Sequence, residues 1–335
     1  MKYQDAGVDI NRKAQALKAA ASKIRATYTP EVLGGIGAFG GMIEVSRLKS
    51  MEQPVLVAST DGVGTKTVLA AQTGRYGGLG FDIVNHSVND LLVQGARPLF
   101  FMDYIASARL EAQVLGTVLE SLAEACQAVG IPLLGGETAE MPGVYQEDGL
   151  DLVGTIVGVV DRAQIVDGAR VQPGDLLLAL PSSGLHTNGY SLARMVFSGW
   201  SLEEPRTELA GDSLADALLE PHRCYLGPVS HLLAEGIEIR AMAHITGGGV
   251  YENLPRVLPE GLGAEIRRGT FPVPPIFSLI QQAGHVDEPE MYRVFNMGLG
   301  YILVLSADMA AWAQTLLSKS YLVGCIIGES GVKVV

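Results

Sequence analysis

The sequence predicts an α/β (α+β) fold made of two mixed domains, residues 1–167 and 168–335. Three observations carry that expectation. At 335 residues the chain is longer than one typical core serves. Short apolar, strand-like runs alternate with helical patterns in both halves. The pattern breaks once near the middle, in the polar segment Asp161–Gly174.

In the first half, Ala14, Leu17, Ala21 and Ile24 recur at helical spacing over 13–26, ahead of Pro30. A Gly-rich loop, Gly34–Gly41, follows, then strand-like runs at Met42–Val45 and Pro54–Ser59. Residues 79–95 read as a helix and Leu99–Ile105 as a strand. Glu111–Val129 is the clearest helix, with Val114, Leu115, Val118, Leu122 and Ala125 on one face. Strands are expected at Ile131–Leu134 and Leu152–Val160. The second half predicts strands at Asp175–Leu180, Ala264–Arg267, Gly300–Ser306 and Leu322–Ile327. Its helices fall around Tyr190–Ser198, Pro221–Glu235, Gly249–Val257 and Met309–Ser318.

Composition narrows the function. The 41 glycines are about 12% of the chain against a usual value of roughly 7%, so backbone must turn sharply or approach something closely at several places. A net charge of −12 without a basic stripe argues against a nucleic-acid partner. No run of 18 apolar residues predicts a membrane span, and MKYQDAGVDINRK has no signal-like apolar core. Cys126, Cys224 and Cys325 lie far apart without metal-like spacing, and a reduced, cytoplasmic setting is the expectation.

Two motifs resemble known ones and fail on context. Gly35-Ile-Gly37-Ala-Phe-Gly40 is a literal G-x-G-x-x-G with Asp61 about twenty residues on, but a dinucleotide fingerprint needs a strand before it and a helix opening within it. Gly62-Val-Gly64-Thr65-Lys66-Thr67 has Thr65 where a P-loop has Gly before its Lys. What remains at 59–67 is an acid, two glycines and a lysine after an apolar strand. Asp61 offers a hard oxygen to Mg²⁺, the Gly62 and Gly64 backbone can face phosphate, and Lys66 can meet a phosphoryl oxygen; the bland alternative is a solvated turn.

Asn85-His86-Ser87-Val88-Asn89-Asp90 sets five polar groups into an otherwise apolar helix, with residues 86 and 90 on one face. Burying them is costly unless something satisfies them. Gly135-Gly136-Glu137-Thr138-Ala139-Glu140 suits a cation-bridged phosphate at a Gly-Gly turn, or simply shapes a loop. Ser182-Ser183-Gly184-Leu185-His186-Thr187-Asn188-Gly189 leaves a strand and enters a helix, a setting for anion binding. A serine nucleophile with His186 as base is the weaker reading there, since no G-x-S-x-G elbow accompanies it. His244-Ile245-Thr246-Gly247-Gly248-Gly249 is a second such entry, and Asn296–Gly300 reads as a bulge before a buried strand.

Together, Asp61-Gly-Val-Gly-Thr-Lys66, Val88-Asn-Asp90, Gly135–Pro142, Ser182–Ser191, His244–Gly249 and Met291–Gly298, with Tyr3–Ile10 at the start, resemble the phosphoribosylformylglycinamidine cyclo-ligase (aminoimidazole ribonucleotide synthetase) family in order along the chain. The resemblance implies ATP-dependent closure of the imidazole ring of formylglycinamidine ribonucleotide, in purine biosynthesis. It also implies a homodimer whose N-terminal domains pair into a shared β-barrel. Under it Asp61, Asp90 and Glu137 are expected on Mg²⁺ and ATP phosphates, with Gly62, Gly64, Thr65, Lys66, Asn89 and Thr138 around the nucleotide. Lys66, His186 and Asn188 are the expected catalytic residues. Ser182, Ser183, His186, Thr246, Gly247, Gly248 and Gly249 are the expected substrate contacts, and Gly34–Gly41 a covering loop. Departures from the family pattern fall at Asn11–Lys13, Thr67, Gln94 and Arg97. Kinases and selenophosphate synthetases share the architecture. A selenophosphate synthetase would need a reactive Cys or Sec near the N-terminus, and the first Cys here is Cys126.

Overall fold

A computed structural model describes residues 10–335, so the Tyr3–Asp9 part of the resemblance lies outside the described residues. The chain forms two compact units, one from residues up to Leu91 together with Ala96–Ala163, the other from Leu92–Gly95 together with Gln164–Val335. The expected division fell after residue 167; by contacts it falls after Ala163. The turn Leu92–Gly95 belongs to the second unit through the Val166 N–H donated to the Gln94 carbonyl.

The first unit runs α1 (Ile10–Ala26), β1 (Pro54–Gly62), α2 (Lys66–Thr73), α3 (Leu79–Leu92), β2 (Arg97–Ser107), α4 (Ala112–Ala128), β3 (Leu133–Glu140) and β4 (Leu150–Asp161). Its sheet has the order β1-β4-β2-β3, antiparallel except for the β2/β3 pair. Side chains alternate between faces with period two, and burial follows that alternation. Leu152, Gly154, Ile156 and Gly158 of β4 are buried, facing α3. A Cβ on Gly154 would stand 2.2 Å from the Phe101 ring and one on Gly158 2.7 Å from Leu91, so α3 can lie this close only over glycine. The opposite face carries Leu56, Ala58, Thr60, Phe100, Met102, Tyr104, Val153 and Val157, all half-buried or exposed. Helix α1 packs on α4, where Lys23 bridges Glu120 and Glu124 at 2.9 and 2.8 Å.

The second unit runs β5 (Leu176–Pro181), α5 (Tyr190–Val196), α6 (Leu214–Leu219), α7 (Leu226–Ala234), β6 (Ala241–His244), α8 (Gly249–Asn253), β7 (Gly263–Ile266), α9 (Pro275–Gly284), α10 (Glu288–Val294), β8 (Leu299–Leu305), α11 (Ala307–Leu316), β9 (Tyr321–Ile327) and β10 (Gly331–Val334). The sheet order is β10-β7-β9-β5-β8-β6, antiparallel except β10/β7. Every residue of β8 is buried, as expected of a strand covered on both faces. The bulge expected around Asn296–Gly300 is present: pairing with β5 passes from Tyr301 to Leu299 and skips Gly300. A Cβ there would fall 1.8 Å from the Tyr225 hydroxyl.

Several elements differ from the expectation. Met42–Val45 forms only a one-residue bridge, Ile43 to Val32, ahead of the 3-10 turn Ser46–Ser50. Strand β1 continues through Asp61 and Gly62, and β3 starts at Leu133 and runs through Gly135–Glu140. Asp61-Gly62 and Gly135–Glu140 are therefore strand rather than turn, since the sheet ladder outweighs glycine's low strand preference. Helix α7 starts at Leu226, not Pro221, and α8 ends at Asn253 because Pro255 cannot continue it.

Candidate functional site

The polar face of α3 is satisfied from the neighbouring β1 and α2. Asp82, His86 and Asp90 recur every fourth residue, which places them in one stripe along the helix. The Asp82 carboxylate takes the Lys66 ammonium at 2.7 Å, with both side chains fully buried. His86 Nε2 reaches the Asp61 carboxylate at 2.9 Å and Asp90 at 3.5 Å, and the Ser59 hydroxyl donates to Asp90 at 3.3 Å. His86 is buried while Asp61 is 47% and Asp90 29% exposed, so the two carboxylates open to solvent above a buried imidazole.

Charge is concentrated there. Burial alone would lower the His86 pKa, but hydrogen bonds to Asp61 and Asp90 outweigh it and push it up to about 9. Burial raises Asp61, yet its hydrogen bond and attraction to His86, with the Gly62 N–H, bring it below the usual carboxylate value. At neutral pH this is an imidazolium between two carboxylates, whose outer oxygens suit a hard divalent cation.

The first unit does not bring all the expected metal acids together. In the aligned row Asp61, Gly154, Asp103 and Gly136 across the sheet, Glu137 follows Gly136 and faces the opposite way. It also lies three strand spacings, about 14 Å, from β1. The carboxylate that shares the row with Asp61 is Asp103, pushed up to about 7 by burial, with the Glu137 charge adding to the effect. Cys126 is buried, and its thiol is raised well above the usual range by that burial and by Asp103, which makes it a poor nucleophile.

The role expected for Lys66 needs correction. Its ammonium has no exposed surface and is held by Asp82, so it anchors the start of α2 to α3 instead of facing a phosphate. Thr67, a departure from the family pattern, donates its hydroxyl to the Gly64 carbonyl at 3.0 Å and so closes the same turn. Gly62 ends β1, and Gly64 (φ 70°) and Thr65 lead into α2. Asn89 and Thr138 are buried. The ring of Phe39 in the Gly34–Gly41 loop is exposed. No strand precedes that loop and no helix opens in it, so the dinucleotide reading fails.

In the second unit, the loops 182–189 and 244–249 converge on three histidines. His186 is buried and adopts φ 62°, in the left-handed region that few residues other than glycine occupy. The Tyr190 hydroxyl holds the His186 carbonyl at 3.0 Å and that of Leu218 at 2.6 Å. The Ser183 N–H donates to His186 Nε2 at 3.1 Å, while the Ser183 hydroxyl donates to the Pro221 carbonyl at 2.6 Å. Ser183 thus meets His186 through its backbone, and the serine-nucleophile reading fails. The Ser182 hydroxyl is buried without a hydrogen-bond partner in the structure, a group that a bound polar ligand would satisfy.

The imidazole of His222 stacks on His186 (centroids 3.9 Å apart, 22° between planes), and its Nε2 lies 3.0 Å from His244 Nε2. Asn253 Nδ2 donates to the carbonyls of Thr246, Gly247 and Gly249, which folds the glycine loop around that side chain. A Cβ on Gly249 would lie 1.9 Å from the Tyr292 carbonyl, so that glycine is required by the fold itself. Asn188 lies beside the loop, its Oδ1 3.1 Å from where a Gly247 Cβ would stand.

Sequence reasoning missed Asp82, Asp103, His222 and Asn253. Asp82 could have been found from its four-residue spacing to His86 and Asp90. His222 and Asn253 join the cluster only through tertiary contacts.

Comparisons with known proteins agree with this arrangement. The family model described as AIR synthase related protein, N-terminal domain, matches residues 44–160, and its C-terminal counterpart matches 172–334. A protein of Desulfitobacterium hafniense named phosphoribosylformylglycinamidine cyclo-ligase is 46% identical over 332 residues, 98% of this chain and 97% of that protein. One of the same name from Thermosynechococcus vestitus is 44% identical over 335 residues, covering 99% and 98%. Among solved structures, thiamine-monophosphate kinase from Stenotrophomonas maltophilia superposes with a TM-score of 0.70 at 19% identity, covering 94% of this chain and 95% of that one. A hydrogenase maturation protein HypE solved with ATP gives 0.64 at 17% identity, covering 90% and 83%. At such identities these two structures show the shared fold alone. The near full-length matches at 44–46% identity go further: the chain belongs to the AIR synthase related family, in its phosphoribosylformylglycinamidine cyclo-ligase group.

Proposed function

We propose that this chain catalyses the ATP-dependent cyclisation of formylglycinamidine ribonucleotide to aminoimidazole ribonucleotide, releasing ADP and phosphate, in purine biosynthesis. The structural observation that carries the reading is the solvent-facing Asp61–Asp90 pair bridged by buried His86. Those carboxylates fit Mg²⁺ by donor chemistry, being hard, ionised oxygens at the end of β1. Mg²⁺ held there would neutralise ATP phosphate charge during transfer. Glu137, on the other face, would serve a second cation or the phosphates. Gly62, Gly64, Thr65, Asn89 and Thr138 would line the nucleotide side, and Gly34–Gly41 would cover it.

An amide oxygen is a poor leaving group, so the γ-phosphoryl of ATP first passes to the formamide oxygen. The amidine nitrogen then attacks the activated carbon, and the C–O bond breaks with loss of phosphate. The chain's own task is positioning and charge stabilisation. Ser182, Ser183, Thr246 and Gly247–Gly249 would bind the ribose phosphate and amide groups, a role that the unsatisfied Ser182 hydroxyl supports. His186 and Asn188 would meet the reacting amidine. His186 accepts a hydrogen bond from Ser183 at Nε2, so its proton sits at Nδ1.

A homodimer is the expected assembly. The half-exposed apolar face of the first sheet, from Leu56 through Val157 and Phe100 to Tyr104, supports pairing with a second copy into a barrel. The three unpaired cysteines support a reducing, cytoplasmic setting. No helix among the described residues is long and apolar enough to cross a membrane.

The test is a coupled assay with formylglycinamidine ribonucleotide, ATP and Mg²⁺, scoring ADP and aminoimidazole ribonucleotide together. Equal yields of both, lost in Asp61→Asn, are expected. ADP without the imidazole product would move the protein to a kinase-like activity.

A further inference from the structure

The loop 182–189 and the end of β6 are joined by a residue that belongs to neither, His222, in the segment between α6 and α7. Three buried imidazoles meet there, and their hydrogen bonds constrain where each proton resides. The Ser183 N–H points at His186 Nε2 from 3.1 Å. An N–H cannot face another N–H at that distance, so Nε2 carries a lone pair and His186 is neutral with its proton at Nδ1.

His222 and His244 face each other Nε2 to Nε2 at 3.0 Å, which requires one donor and one acceptor. At its other end His222 Nδ1 lies 3.5 Å from the Thr187 hydroxyl oxygen, which accepts from Asn188 Nδ2 at 3.4 Å.

The three ligand nitrogens are close enough together to hold a transition metal. The geometry opposes it: the His186 and His222 rings are stacked 22° from parallel, so their in-plane lone pairs do not converge, and His186 Nε2 is already engaged.

We propose that His222 is a positioning residue: by stacking on His186 and closing the chain Asn188–Thr187–His222–His244, it fixes the orientation and neutral form of the His186 imidazole. The consequence for catalysis rests on the reading that His186 meets the substrate. His186 keeps a strained backbone (φ 62°) that the ring contacts must help maintain.

Long-range ¹H–¹⁵N NMR of the full chain labelled at its six histidines reads the tautomers directly, with assignments from single His→Asn variants. The expected pattern is Nδ1–H at His186, with a proton on Nε2 of one, and only one, of His222 and His244. A His186 imidazolium at neutral pH, Nε2 of His222 and His244 both protonated or both bare, or a stoichiometric bound transition metal would overturn the proposal. This arm needs no turnover, so it stands or falls apart from the assigned reaction.

The second arm compares His222→Phe, which keeps a flat ring without hydrogen bonds, with His222→Gln, which keeps an N–H donor. His222→Phe should lower kcat about 100-fold, the scale of a misplacement of about 1 Å, with KM for ATP unchanged and the His186 tautomer mixed. His222→Gln should recover most of that loss. Equal kcat in both variants and wild type would refute the positioning role.

Discussion

Replacing Lys66 by Met tests whether its ammonium holds the fold or touches phosphate. The structure buries Lys66 and Asp82 completely, 2.7 Å apart. Removing the cation takes the ammonium from a fully buried carboxylate, and breaking such a pair costs about 3–5 kcal/mol. For a unit of 150–250 residues each kcal/mol shifts Tm by about 2–4 °C, which gives a fall of about 6–20 °C. Asp82→Leu alone should destabilise on the same scale, because it leaves the ammonium buried. The double variant Lys66→Met/Asp82→Leu should regain most of the loss, since two apolar side chains of similar volume replace the pair without an orphan charge. Differential scanning calorimetry of the three variants reads this. A Lys66→Met protein that melts like wild type but no longer forms ADP would refute the reasoning and return Lys66 to the phosphates.

Two further outcomes follow from the first unit. Burial raises the Asp103 pKa from 3.8 to about 7, so the native state binds a proton more tightly than the unfolded chain. Stability on that account falls as pH rises from about 4 to about 7 and stays reduced above. Asp103→Asn should therefore raise Tm at pH 8 and lose most of that advantage by pH 5; an equal gap at both pH values would disprove it. Leu56→Glu places a charge on the apolar sheet face and should convert a dimer to monomer in sedimentation velocity without lowering Tm. A dimer that persists would assign the pairing to another surface.

Much of the fold was legible because its helices and strands carry their own periodicity. Helix α4 shows its apolar stripe of Leu115, Val118 and Leu122 in the sequence, and these residues are buried as that stripe requires. The Asn296–Gly300 bulge was legible from its glycines. The Gly-rich strands were not: Asp61-Gly62 and Gly135–Glu140 have turn-like composition, yet they continue β1 and β3 because neighbouring strands supply the ladder.

The chain by itself determined its family, its two-part α/β character and the acids that cluster near phosphate-like motifs, because these reside in contiguous strings of residues. Only the tertiary structure decided what those residues face. Period-two alternation in a sheet turns Asp61 and Asp103 one way and Glu137 the other, and no local string encodes which strands are neighbours. Lys66 reads as a phosphate ligand in its motif and becomes an ion-pair partner because α3 brings Asp82 to it from sixteen residues away. His222 reads as an isolated histidine and joins His186 and His244 only when three separate segments meet.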